Sequence, residues 1–132
     1  MDELDRQARG VGQQCVALKV RRLARRVTRL YDDALRPHGL TVAQFGLLTA
    51  LIRLGPTSPA ALGRALDLEK STLSRNLARM AEHGWISNEA APGRGVELKV
   101  LTAGRRMFER TYPAWEAAQA EATSLMTKEA AG

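Results

Sequence analysis

The sequence has a single cysteine, Cys15, which excludes an intrachain disulfide, and its two histidines, His38 and His83, lack the spacing of metal ligands. No metal or other cofactor is implied by what remains. Long apolar runs are missing too: the longest, FGLLTALI from Phe45 to Ile52, falls well short of the roughly 20 residues that cross a bilayer. No secretory signal pattern precedes it, and a cytoplasmic protein is expected. Acidic residues are in deficit, 14 against 20 Lys plus Arg, which leaves a net charge of +6. Such a balance suits a polyanion, whether nucleic acid or an acidic membrane surface, without choosing between them. A chain of 132 residues, 45% hydrophobic and 26% charged, fits one soluble domain with a modest core.

Paired catalytic groups are scarce as well. Asp32 and Asp33 are adjacent and so point to different faces of a helix, which does not suit two-carboxylate chemistry; they instead flank a helix end near Arg29 and Arg36. No Ser-His-Asp or metal-ligand spacing stands out, and the expectation is a protein that is not an enzyme.

What the sequence does have is periodicity. From about Gln14 to Leu35 the residues Val16, Val20, Leu23, Val27, Leu30, Tyr31 and Leu35 recur at helical spacing, and Pro37 and Gly39 end the helix. Its opposite side carries Arg21, Arg22, Arg25, Arg26 and Arg29, the most conspicuous basic run in the chain. Thr41 is placed to cap a second helix that buries Phe45, Leu48, Leu51 and Ile52 and stops at Gly55. Ser58 caps a third, with Pro59 at its first position, running to about Leu66. Asp67, Leu68 and Glu69 then connect tightly to a helix from about Lys70 to His83, closed by Gly84. Two short helices joined by about three residues have the geometry of a helix-turn-helix.

Beyond Gly84 the period changes to two. WISNE and VELKVL read as strands of a hairpin, and the AAPGRG between them is rich in turn formers. Thr102 then opens a last long helix with Met107, Phe108, Thr111, Trp115, Ala118, Ala122 and Leu125 on one stripe. A kink is expected at Pro113, and frayed residues in the final TKEAAG. The fold class is therefore mainly α with a small β-hairpin.

On the helix from Lys70, the apolar stripe Leu73, Leu77, Met80 and Ala81 leaves an outward arc of Lys70, Ser71, Thr72, Ser74, Arg75, Asn76 and Arg79. Donors of this kind are what reading the major groove requires: Arg toward guanine, Asn toward adenine, hydroxyls toward phosphates. A merely solvated face explains the helix alone equally well; its place inside a helix-turn-helix favours DNA. Arg94, held between Gly93 and Gly95 at the hairpin tip, is a cation that a flexible loop can bring to a sugar-phosphate wall. The same loop is no nucleotide cradle, because it lacks a Lys-Ser/Thr pair and a following helix N-terminus.

Helix, helix-turn-helix, wing and closing helix, in this order, resemble the MarR family of bacterial winged-helix transcription regulators. The segments that carry the resemblance are LRPHGLTVAQFGLLTAL, ALGRALDLEKSTLSRNLARMAEHGWI and the wing running into VLTAGRR, across about residues 15 to 125. The resemblance implies a single domain over 1–132: dimerisation helices at about 14–36 and 102–125, and a winged helix-turn-helix at about 41–101. It also implies a homodimeric repressor on double-stranded, pseudo-palindromic DNA, released by a small aromatic or phenolic effector. Ser71, Thr72, Ser74 and Arg75 would lie in the major groove and Arg94 would be the wing arginine. Family wings usually carry an Asp before that arginine, where this sequence has Gly93.

One branch of the family senses peroxides through a cysteine near the start of the first helix, and TRLY, ending in Tyr31, is similar to that branch's tyrosine segment. Cys15 would be the redox sensor there, although it lies two residues early and Val42 stands in place of a second tyrosine. Lys19 and Arg22 follow it one and two turns on, whereas a lone cysteine on an apolar face commonly serves as a small packed hydrophobe. A further alternative is a winged-helix module that binds protein and not DNA; it has no need of an outward Lys70, Arg75, Arg79 and Arg94 set.

Overall fold

The computed structural model describes residues 2–93 and 95–131. In chain order it contains α1 (Glu3–Gln14), α2 (Val16–Leu35) with a 3-10 turn at Arg36–His38, α3 (Val42–Leu54), α4 (Pro59–Leu66), α5 (Lys70–Glu82), β1 (Ile86–Ala91), β2 (Gly95–Val100) and α6 (Thr102–Ala131). The core is drawn from α3, α4, α5, the hairpin and the first half of α6. Leu47, Leu48, Leu51, Leu62, Leu77, Met80, Ile86 and Leu98 are its most deeply buried side chains, with Leu35 entering from the end of α2.

The helix boundaries follow local chemistry. Thr41 and Gln44 form a reciprocal capping box at the start of α3, and Gly39 takes a φ of 88° after the 3-10 turn. Gly55 and Gly84, with φ of 72° and 77°, close α3 and α5 where an L side chain would be strained. Asp32 adds a link that spacing alone did not suggest: its Oδ1 accepts from the Val42 N–H at 2.8 Å, fixing the start of α3 to α2. Asp33 pairs with Arg36 at 2.9 Å, as expected of a residue flanking the helix end.

One element is new and one expectation changes. Ahead of Gln14 Asp2 caps an exposed helix, α1, in which no residue is buried, and Cys15 interrupts the path into α2 with an extended φ/ψ of −67°/112°. The TKEAAG segment, expected to fray, instead continues the last helix to Ala131, and Glu129 there pairs with Arg26 of α2 at 2.6 Å. α6 keeps its helical assignment on both sides of Pro113, where the ring removes one N–H and leaves the Glu109 carbonyl without its intrahelical donor. Two residues before the proline the buried Thr111 donates its hydroxyl to the Met107 carbonyl at 2.7 Å.

α2 and the second half of α6 run side by side, tied by Arg26 to Glu129 and by the Tyr31 hydroxyl donating to Gln119. Burial pushes the Tyr31 phenol above its ordinary value of 10.0. Beyond the reach of α6, Val16 and Val20 of α2 are exposed, as are Leu4 and Val11 of α1. No helix among the described residues is long and apolar enough to cross a membrane.

Candidate nucleic-acid interface

The helix-turn-helix is built from short-range constraints. The extended Ser58 accepts from the Ala61 N–H at 3.1 Å, and Pro59 supplies a pre-set φ at the first position of α4. Asp67 ends the helix in the left-handed region at φ 53°, a conformation that Asp tolerates better than bulkier residues. The Leu68 N–H then donates to the Gly63 carbonyl at 3.0 Å. Gly63 faces α5 so closely that a Cβ there would lie 3.3 Å from Leu73 Cδ2. α5 is thereby seated on α4 with Leu73, Leu77 and Met80 buried beneath it.

The opposite side of α5 is exposed over Lys70, Ser71, Ser74, Arg75, Ala78 and Arg79. Among the described residues Lys70, Ser74 and Arg79 have no side-chain hydrogen bond or ion pair. Arg75 reaches only Thr72 Oγ1, at 3.5 Å. Unpaired cations and hydroxyls on a rigid helix are available to an external partner. Thr72 and Asn76 differ from the outward arc expected of them. At 100° per residue both fall beside the buried stripe, so they are half-buried, and the Asn76 amide donates to the Thr72 carbonyl at 3.3 Å. Arg94, the hairpin-tip cation, lies outside the described residues.

The hairpin pairs antiparallel from Ile86 opposite Val100 to Ala91 opposite Gly95, so the strands extend further into AAPGRG than the sequence suggested. Its inner face puts Ile86 and Leu98 into the core. A feature without any periodic signal anchors it: Leu98 exchanges two backbone hydrogen bonds with Thr57, just ahead of α4, at 2.7 and 3.1 Å. Its far end is fixed by the Leu101 N–H donating to the Trp85 carbonyl at 2.9 Å, over which Gly104 of α6 packs. The wing is therefore held in a set relation to α4 and α5. Between them lies a groove of about 840 Å³, lined by Arg64, Lys70, Ser74 and Asn88 with the buried Leu73 and Leu77 and the exposed Leu68 and Val96. The outer face of the hairpin is less cationic: Glu89 stands opposite Glu97, and Lys99 pairs with Glu97 at 3.3 Å.

Two further places were singled out by the sequence or by the fold. Cys15 is half-buried between α1 and α2, and its thiol makes no hydrogen bond among the described residues. Between α3 and α6 is a smaller cavity of about 390 Å³ lined by Val42, Phe45, Thr49, Phe108, Tyr112 and Trp115. Phe45 and Phe108 stack there with ring centres 5.1 Å apart and 9° between planes.

A two-helix reader unit, a hairpin wing locked beside it and long flanking helices define a winged helix-turn-helix protein. The MarR family model matches residues 38–95. The chain is 30% identical over 86 residues to the multiple antibiotic resistance protein MarR of Escherichia coli, covering 64% of this chain and 60% of that protein. It is 27% identical over 84 residues to the uncharacterized HTH-type transcriptional regulator YwoH of Bacillus subtilis. The matches thus span about three fifths of these relatives' lengths. The fold also superposes on the M. tuberculosis transcriptional regulator MosR in complex with DNA, with a TM-score of 0.75 and 31% identity, over 84% of this chain and 82% of that one. For MarR from E. coli with operator DNA the TM-score is 0.77 at 24% identity, over 87% and 84%. The chain belongs to the MarR family.

Proposed function

We propose that this protein is a sequence-specific DNA-binding transcriptional regulator that acts as a homodimer and represses by occupying a pseudo-palindromic operator. The carrying observation is the exposed row of Lys70, Ser74, Arg75 and Arg79 on the second helix of the helix-turn-helix, without an ion pair among the described residues, locked beside the hairpin; in sequence Arg94 falls between Gly93 and Gly95 of its connecting segment. Ser71 and Thr72 complete the proposed contacts, with Asn76 serving to brace the helix through its bond to Thr72. α2 and α6 are the proposed dimerisation elements, and residues 41–101 the reading unit. The DNA complex of MosR supports this assignment, and nothing in it calls for enzymatic chemistry. The test is selection of bound duplexes from a random pool. The expected result is an enriched palindrome with half-site centres about 34 to 36 Å apart. No enrichment, or recovery of the protein as a monomer at the concentrations that bind DNA, refutes the proposal.

The aromatic cavity supports a second element, release by a small planar aromatic acid. Its volume falls in the range of about 300 to 1,000 Å³ typical of small-molecule sites, and it lies where α3 of the reading unit meets α6. Aromatic acids titrated into the protein–duplex complex should lower its anisotropy, and Thr49→Trp, which fills the cavity, should abolish that response. Release unaffected by Thr49→Trp removes the cavity as the effector site. The redox alternative draws less support, because the Cys15 thiol has no hydrogen-bonding partner among the described residues to activate it.

A further inference from the structure

We propose that Glu69 is a specificity-determining residue, whose carboxylate accepts a hydrogen bond from the N4 amino group of one cytosine in each half-site. The inference rests on the DNA-binding reading above and concerns a residue that the basic and hydroxylic pattern of α5 does not include.

Glu69 occupies the N-cap of α5, with an extended φ/ψ of −66°/140°, immediately ahead of the turn that in helix-turn-helix proteins meets base edges. Its side chain does not do what an N-cap side chain ordinarily does: α5 has no side-chain cap hydrogen bond. The carboxylate instead points along the exposed face, where Oε1 accepts from Ser71 Oγ at 2.7 Å. Among the described residues it has no ion pair, although Lys70 is its neighbour in sequence. Its second oxygen has no hydrogen-bond partner among the described residues.

A carboxylate at this place opposes the approach of phosphates. On a surface otherwise made of cations and hydroxyls it is therefore an acceptor waiting for a donor. B-DNA presents two donors in the major groove, cytosine N4 and adenine N6. Adenine carries the N7 acceptor beside its amino group, which repels a second carboxylate oxygen, whereas cytosine has no such acceptor next to N4. Ser71 holds one oxygen of Glu69 and so orients the other. The guanine across the pair offers O6 and N7 as acceptors, a match for the neighbouring cations Lys70 and Arg75. The geometry points to a C·G pair read from both sides.

Parallel selections from one random duplex pool, with the full chain as wild type, Glu69→Gln and Glu69→Ala, test this. The wild type should enrich cytosine at one position of each half-site by about tenfold over the other bases, the usual order of a single mismatch. Glu69→Gln should move that position to adenine, since Gln pairs bidentately with adenine N6 and N7, and Glu69→Ala should leave it unspecified, with every other position retained. Melting temperatures equal to wild type show that both variants fold, as expected for an exposed side chain that caps nothing. The assignment is overturned if both variants enrich the wild-type base at every position, or if Glu69→Ala merely tightens binding to all sequences equally. A wild type that enriches nothing overturns the DNA reading itself.

Discussion

Replacing Gly104 by Ala and Gly46 by Ala makes the same chemical change in two helices and should have opposite effects on stability. Gly104 is buried in the first turn of α6, and a Cβ built there lies 2.2 Å from the Trp85 carbonyl oxygen and 2.9 Å from Val100 Cγ2. The first distance is about 1 Å inside ordinary contact, and the obstacle is backbone, so it cannot turn aside. That carbonyl also accepts the Leu101 N–H, so moving it weakens the bond that closes the base of the wing. Overpacking typically costs about 1 to 3 kcal/mol and a weakened hydrogen bond about 1, while Gly→Ala in a helix returns about 1. The net expectation is a loss of about 2 kcal/mol. For a chain of this size that lowers Tm by roughly 6 to 10 °C. Gly46, exposed inside α3 with open space around its Cβ position, should gain about 0.5 to 1 kcal/mol from the same substitution. Thermal unfolding followed by circular dichroism, with urea titration as a second measure, reads both. A Gly104→Ala protein as stable as wild type would refute the close approach of α6 to the hairpin base, since helix propensity alone predicts a gain.

The remaining predictions concern single side chains. Arg75→Ala should lose roughly 1 to 3 kcal/mol on the selected duplex and relax preference at one base pair, whereas Arg94→Ala should weaken all duplexes about equally and shallow the salt dependence; identical effects would remove the division between reading helix and wing. Tyr31 has a folded pKa above its unfolded one, so its contribution is complete below pH 10 and is lost as pH rises through the folded value. Wild type should therefore lose stability above about pH 10 more steeply than Tyr31→Phe in pH-dependent melting, and parallel curves would contradict the burial argument. Peroxide should leave DNA affinity unchanged in both wild type and Cys15→Ser, and a loss confined to wild type would restore the redox reading.

The parts of this architecture that were legible in the sequence are those carried by local rules. The caps at Thr41 and Ser58, the left-handed glycines at 39, 55 and 84, and the stripe Leu73, Leu77 and Met80 each declare themselves within a few residues. What escaped depends on distance in sequence. Thr57 pairs with Leu98 across the helix-turn-helix, Asp32 anchors Val42, and Glu129 holds the last turn of α6 by reaching Arg26, a partner 103 positions away. α1 escaped for a different reason: with Gly10 and Gly12 and few large apolar residues it buries none of its side chains, and it rests on a local cap at Asp2. On the candidate interface itself, periodicity located the outer face but not its edges. Thr72 and Asn76 lie at a boundary that the position of the neighbouring helix decides, and Glu69 was passed over because it breaks the basic pattern.

The central claim is that the exposed face of α5 meets DNA, and the most direct measurement is the salt dependence of affinity for a selected duplex, made on wild type and on the double variant Arg75→Ala, Arg79→Ala. The account predicts that log K falls linearly with log salt concentration for wild type, and that the folded double variant binds weakly with a slope shallower by about 1, from the phosphate contact of Arg79, since Arg75 reads a base edge. A wild-type affinity that ignores salt, or a double variant that binds like wild type, would contradict it.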